Sequence, residues 1–181
     1  MRKLLVLLLA FTLAGCGVPR DSRPRDIDDP QARGSAGPLA ADAGTAIVRL
    51  YLVRSGRLVR VIRRVPSAQP PSGQLRELLK GPTASESADG LTSALSTMDV
   101  LGMTIINRRA TVSIAMPTEQ GARSDEVLAY GQIVCTLTSQ GAEVGTVSFV
   151  TGSEPLAVPR ADGSLADGSL TIADYAGLLD S

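Results

Sequence analysis

Hydrophobic positions along this chain fall into two periods. Ala46–Val53 (AIVRLYLV) and Arg57–Val65 (RLVRVIRRV) alternate apolar and polar residues around Ser55-Gly56, the pattern of a β-hairpin. A helical period follows in two places. Pro70-Pro71-Ser72 opens GQLRELLKG, in which Leu75, Leu78 and Leu79 make an apolar stripe, and Gly81-Pro82 stops it. The longer helix is expected over Ser124–Gln140 (SDEVLAYGQIVCTLTSQ). Val127, Tyr130, Val134 and Leu137 recur at three- and four-residue steps, and Leu128, Gly131 and Cys135 widen that stripe. Ser124 suits its N-cap, Asp125 and Glu126 its first turn, and Gly141 its end. A helix apolar over so much of its surface is expected to lie buried against a sheet, with the rest of the domain built around it.

Two further alternating runs, GMTIIN and ATVSIAM, flank Asn107-Arg108-Arg109 and predict a second tight hairpin. TASESADGLTSALSTMDV before them is expected to be a loop, and VGTVSFVTG (Val144–Gly152) a final strand. TIADYAGLL near the C-terminus predicts a short docked helix. These elements imply an α+β fold of two layers: a mixed sheet of about five strands, two helices on one face, and a short C-terminal helix.

The N-terminus has a different character. Arg2 and Lys3 precede an apolar run, Leu4–Leu13, that is too short to span a bilayer. Leu13-Ala14-Gly15-Cys16 then resembles a bacterial lipobox, which implies removal of residues 1–15 and acylation of Cys16 with diacylglycerol. Residues 16–44 are rich in Pro, Gly, Asp, Arg and Ala and lack apolar periodicity, so they read as a lipid-bearing tether of roughly 30 Å root-mean-square span. The folded domain is expected over 45–181. The implied location is the extracytoplasmic face of a bacterial membrane, with lipid as the anchor.

Charge and composition narrow the chemistry. Eighteen basic and eighteen acidic residues give a net charge of zero, which argues against a general nucleic-acid binder. The chain has no histidine, the commonest general base and metal ligand. With Cys16 lipidated, Cys135 has no partner for an intramolecular disulfide and reads as a small core residue. The tandem ADGSLADGSL (Ala161–Leu170) invites a calcium reading, but its spacing lacks the later ligands and closing Glu of an EF-hand loop. No metal or cofactor is expected.

Two groups of residues are candidates for contacts. Arg49, Arg54, Arg57, Arg60, Arg63 and Arg64 crowd the first hairpin with no acid among them. They read either as the wet side and protected edge of a sheet or as a stripe for an anionic ligand; Arg57, Arg60, Arg63 and Arg64 are the candidates. Gln132, Thr136 and Thr138, polar residues within the long helix, either bond backbone or water or line a site.

Taken in order, RLYLV, ELLKGPT (Glu77–Thr83), Glu86 with Gly90-Leu91, ATVSIA, QIVCTLT (Gln132–Thr138) and VSFVTG resemble a GerMN domain of the sporulation and spore-germination type. The resemblance spans about Ala46–Leu179. It departs from the family's pattern at Cys135, where an aromatic is usual, and at Ser113-Ile114-Ala115, where an acidic residue followed by leucine is common. It implies a non-catalytic envelope module with a wall component, a sensor-kinase ectodomain or another envelope protein as partner. The alternatives are an assembly subunit that pairs through sheet edges, and a wall hydrolase using Glu86 with Asp89 or Asp125 with Glu126.

Overall fold

The computed structural model describes residues 46–115 and 123–180. Residues 1–15, Cys16 and the tether lie outside the described residues. So does the Ser124 side chain expected to cap the long helix.

Strands β1 (Ala46–Arg54) and β2 (Arg57–Val65) pair antiparallel without interruption, from Ala46 opposite Val65 to Arg54 opposite Arg57. Ser55 (φ 51°) and Gly56 (φ 74°) both take the left-handed conformation that a two-residue hairpin loop needs. Helix α1 (Pro71–Leu79) starts with Pro70 at the N-cap and Pro71 as its first residue. Pro71, Leu75 and Leu78 face the core, but Leu79, expected in the same stripe, is 39% exposed. Adjacent helical residues diverge by about 100°, so Leu79 falls off the narrow buried face.

The expected loop after α1 is partly helical. Helix α2 (Ala84–Ala88) carries a capping box in which the Thr83 hydroxyl accepts from the Glu86 N–H while Glu86 accepts from the Thr83 N–H. A 3-10 turn follows at Ala94–Thr97. Strands β3 (Val100–Ile106) and β4 (Arg109–Ile114) form the second hairpin, turning on Asn107 and Arg108, both at positive φ.

Helix α3 (Arg123–Thr138) is the crossover that returns the chain to β5 (Thr146–Thr151), which runs parallel to β4. β6 (Glu154–Pro155) folds back on β5, giving a mixed sheet in the order β3-β4-β5-β6. β1 and β2 are a separate two-stranded sheet, and β7 (Val158–Pro159) with β8 (Leu165–Ala166) a third. The class is α+β with a mixed sheet, as expected; that sheet has four strands where about five were expected, because β1 and β2 pair only with each other. Side chains of α3 and of Gln140 just beyond it, with a backbone bridge from Thr92, close the outer edge of β1.

Residues 128–137 of α3 are all buried, and α3 contacts both the β1–β2 hairpin and β5. Tyr130 meets Phe149 of β5 edge-on, with ring centroids 4.9 Å apart. On another side, Gly131 lets Leu58 and Tyr175 approach so closely that a Cβ there would lie 2.8 and 2.9 Å from their side chains. Tyr175 comes from the C-terminal 3-10 helix (Ile172–Leu178), is fully buried, and donates its hydroxyl to the Pro159 carbonyl at 3.0 Å. The two ADGSL copies have different uses. In the first, Asp162 accepts from the Ser164 N–H and hydroxyl across the β7–β8 turn, and Leu165 is exposed. In the second, Ala166 and Leu170 are buried, and Leu170 bridges to Val147 of β5.

Candidate functional site

Strand parity sorts the six arginines of the hairpin. Residues directly opposed in an antiparallel pair share a face. Val48/Arg63, Leu50/Val61 and Leu52/Val59 therefore lie on one face, with Arg54/Arg57 at its turn end. Ile47/Arg64, Arg49/Ile62, Tyr51/Arg60 and Val53/Leu58 lie on the other.

On the first face Arg63 is a structural clamp. Its Nε donates to Glu86 Oε1 at 2.8 Å and its Nη2 to Oε2 at 2.5 Å, while Nη1 and Nη2 also donate to the Glu77 and Gly81 carbonyls. The side chain is only 11% exposed. Arg63, expected among the contact residues, is therefore enclosed by its own fold: a buried guanidinium requires a full set of acceptors, and α1, α2 and the loop between them supply it. The pair with Arg63, together with the Thr83 N–H, holds the Glu86 carboxyl below its ordinary pKa. Arg57 reaches the Gly177 and Leu179 carbonyls, and Arg54 pairs with Asp180 at 3.5 Å. Arg57 is thus exposed but directed to the C-terminal segment, away from Arg60 and Arg64.

The second face holds the remaining three. Arg49, Arg60 and Arg64 are exposed and have no ion-pair partner among the described residues. Between them stand Ile47 (54% exposed) and Ile62 (61%). Tyr51 forms the floor. Burial raises its phenol pKa, and the charges of Arg60 and Arg49 oppose that rise. Arg49 belongs to the arginine cluster read from sequence, whereas Ile47, Ile62 and Tyr51 were not singled out, although counting register back from Ser55-Gly56 identifies them.

Gln132 and Thr136 close the edge of β1. The Tyr51 N–H donates to Thr136 Oγ1 at 3.0 Å, and Gln132 Nε2 donates to the Tyr51 carbonyl at 2.9 Å. One helical turn apart on α3, they meet the donor and acceptor that a neighbouring strand would meet. Gln132 Oε1 also accepts from the Ala94 N–H. Gln140 donates to the Arg49 carbonyl, and Val53 exchanges both backbone bonds with Thr92. Gln132 and Thr136 are fully buried and Thr138 is half-buried, donating to the Val134 carbonyl, so all three side chains bond backbone groups.

The remaining candidates for chemistry are also enclosed or capped. Burial alone pushes the Cys135 thiol up to about 12, far from a nucleophile's range. Among the described residues, no group of three or more His, Cys, Asp or Glu side chains is placed to hold a metal.

A family model described as Germane, sporulation and spore germination, matches residues 42–157, well over half of the chain. The chain belongs to this family. The first GerMN domain of the sporulation protein GerM from Bacillus subtilis has the same fold: 20% identity, TM-score 0.55, 70% of this chain and 98% of that one covered. The tandem GerMN domains of the same protein match at 21% identity and TM-score 0.49 over 67% of this chain, which spans 44% of the tandem chain. Among curated proteins none matches. In this Germane domain the run ELLKGPT with Glu86, one of the landmarks of the resemblance, ties α1 and α2 to β2 through Arg63. QIVCTLT, another landmark, seals β1.

Proposed function

We propose that this protein is a membrane-anchored extracytoplasmic lipoprotein whose Germane domain is a non-catalytic binding module for an anionic envelope partner, either a wall component or a sensor or other envelope protein. The observation that carries the reading is the face of Arg49, Arg60 and Arg64, three exposed cations without an ion-pair partner among the described residues. Unpaired like charges set around exposed isoleucines favour a complementary surface of acid and apolar groups. The lipobox ending at Cys16 supports the anchor, and the tether gives the domain reach from the membrane.

Catalysis by carboxylates finds little support. Glu86 is ion-paired and held ionised rather than tuned to donate a proton near neutral pH. Asp125 and Glu126 lie in the first turn of α3, where the helix N-terminus already favours them. An assembly role is the second reading, favoured by β3: it is the outer strand of its sheet, carries no charge, and exposes Leu101 and Ile106. A mass that rises with concentration in light scattering supports it.

The test of the first reading is capture. Full chain purified in detergent is offered wall sacculi and solubilised envelope proteins at low and moderate salt, beside a variant with Arg49, Arg60 and Arg64 changed to Ser. Retention that survives moderate salt and fails in the variant is expected. Equal retention of both chains contradicts the reading.

A further inference from the structure

The outer edge of β2 carries the inference, which rests on the binding-module reading. Tyr51 and Val53 direct their backbone groups away from β2, so alternation directs those of the residues opposite, Arg60 and Leu58, away from β1. The same parity turns Ile62 and Arg64 outward. Leu58 is already partnered: its carbonyl accepts from the Asp180 N–H at 2.9 Å, in a parallel bridge of Leu58 with Leu179. The segment Leu179–Asp180 thus adds to this edge at Leu58. Beyond it, Arg60, Ile62 and Arg64 have no backbone partner among the described residues outside the β1 ladder. Their side chains are the exposed cation, apolar group and cation of the face described above.

We infer that Arg60–Arg64 accepts an extended segment of a partner protein as an added antiparallel strand, with acidic residues opposite Arg60 and Arg64 and an apolar residue opposite Ile62. The sequence class is acid-x-apolar-x-acid, about five residues long, because Leu179 and Asp180 occupy the next position on the edge. Main-chain bonds to three outward residues would provide the affinity, and the two arginines would select against basic or neutral strands. A second copy of this edge is disfavoured, since the register that opposes Ile62 to Ile62 sets arginine against arginine and the shifted one leaves each arginine without a counter-charge. The edge of β1, closed by Gln132, Thr136, Gln140 and Thr92, offers no such place.

The probe is a fluorescent peptide, acetyl-Thr-Glu-Val-Ile-Val-Glu-Thr-amide, titrated into the full chain in detergent and read by anisotropy. One comparison peptide is N-methylated at Ile and the second Glu, whose N–H groups face β2 in the inferred pairing. The other is N-methylated at both Val residues, whose N–H groups face away. Saturable binding is expected, weakened about tenfold or more by methylation at Ile and Glu but only slightly at Val. Changing Arg60 and Arg64 to Ser is expected to weaken it by a similar factor. Equal effects of the two methylations overturn the inference, because charge attraction alone then explains binding. So does failure of every peptide, including the case in which the chain binds only phosphatidylglycerol vesicles. If the peptides fail while arginine-dependent capture of an envelope target persists, strand addition is wrong and the binding-module reading stands. If both fail, both are wrong.

Discussion

Arg63 and Glu86 are joined by two parallel hydrogen bonds, at 2.8 and 2.5 Å, with the carboxylate also accepting from the Thr83 N–H at 2.7 Å. A residue of β2 thereby fixes the start of α2. Glu86→Gln removes the charge but keeps the shape, and is expected to cost about 2–3 kcal/mol in urea denaturation, because Arg63 stays enclosed without its counter-charge.

The same pair sets an acid limit. Glu86's carboxyl is lowered from 4.5 in the fold, so its contribution is complete above the unfolded value and is lost as pH falls through the folded one. Stability measured from pH 6 downward is expected to fall more steeply below about pH 4.5 in the parent chain than in Glu86→Gln. Parallel curves would show that another carboxylate is responsible.

Gly131 is expected to resist enlargement. Alanine is the better helix former by about 1 kcal/mol, yet its Cβ would meet Leu58 and Tyr175 inside 3 Å. Net destabilisation of about 1–2 kcal/mol is expected for Gly131→Ala, read by thermal melting; a stabilised variant would show that Tyr175 is free to move aside.

Thr136→Val keeps the volume and removes the acceptor for the Tyr51 N–H. A loss of about 1–2 kcal/mol is expected, with faster amide exchange at Tyr51 than at Leu50, whose amide is turned towards β2. Unchanged exchange at Tyr51 would mean that the helix does not protect this edge.

Cys135, fully buried with its thiol near 12, is expected to be inert to a thiol reagent at pH 8 until the domain unfolds. Rapid native-state labelling would contradict the packing around α3.

Much of the fold was legible because periodicity reports burial directly. The two hairpins and the buried α3 follow from alternation, left-handed turn residues and a wide apolar surface. The sheet count was not legible. β1 looks like a strand needing a second neighbour, and only three-dimensional placement shows that Gln132 and Thr136 occupy that neighbour's position. α2 had a local signal, Thr83-x-x-Glu86, in a stretch too polar to read as buried structure. The arginines were visible as a cluster, but treating them as one stripe ignored parity. Arg63 stands opposite Val48 and turns inward, whereas Arg60 and Arg64 stand opposite Tyr51 and Ile47 and turn out.

That division is also the most direct test of the binding face. Three full-length chains, the parent, Arg63→Ser and Arg60→Ser/Arg64→Ser, are compared for thermal stability and for retention on envelope extract. The expected result is that Arg63→Ser melts well below the parent, whereas Arg60→Ser/Arg64→Ser melts with the parent and is no longer retained. Retention of Arg60→Ser/Arg64→Ser at the parent's level, with its fold intact, would contradict the assignment of this face to binding.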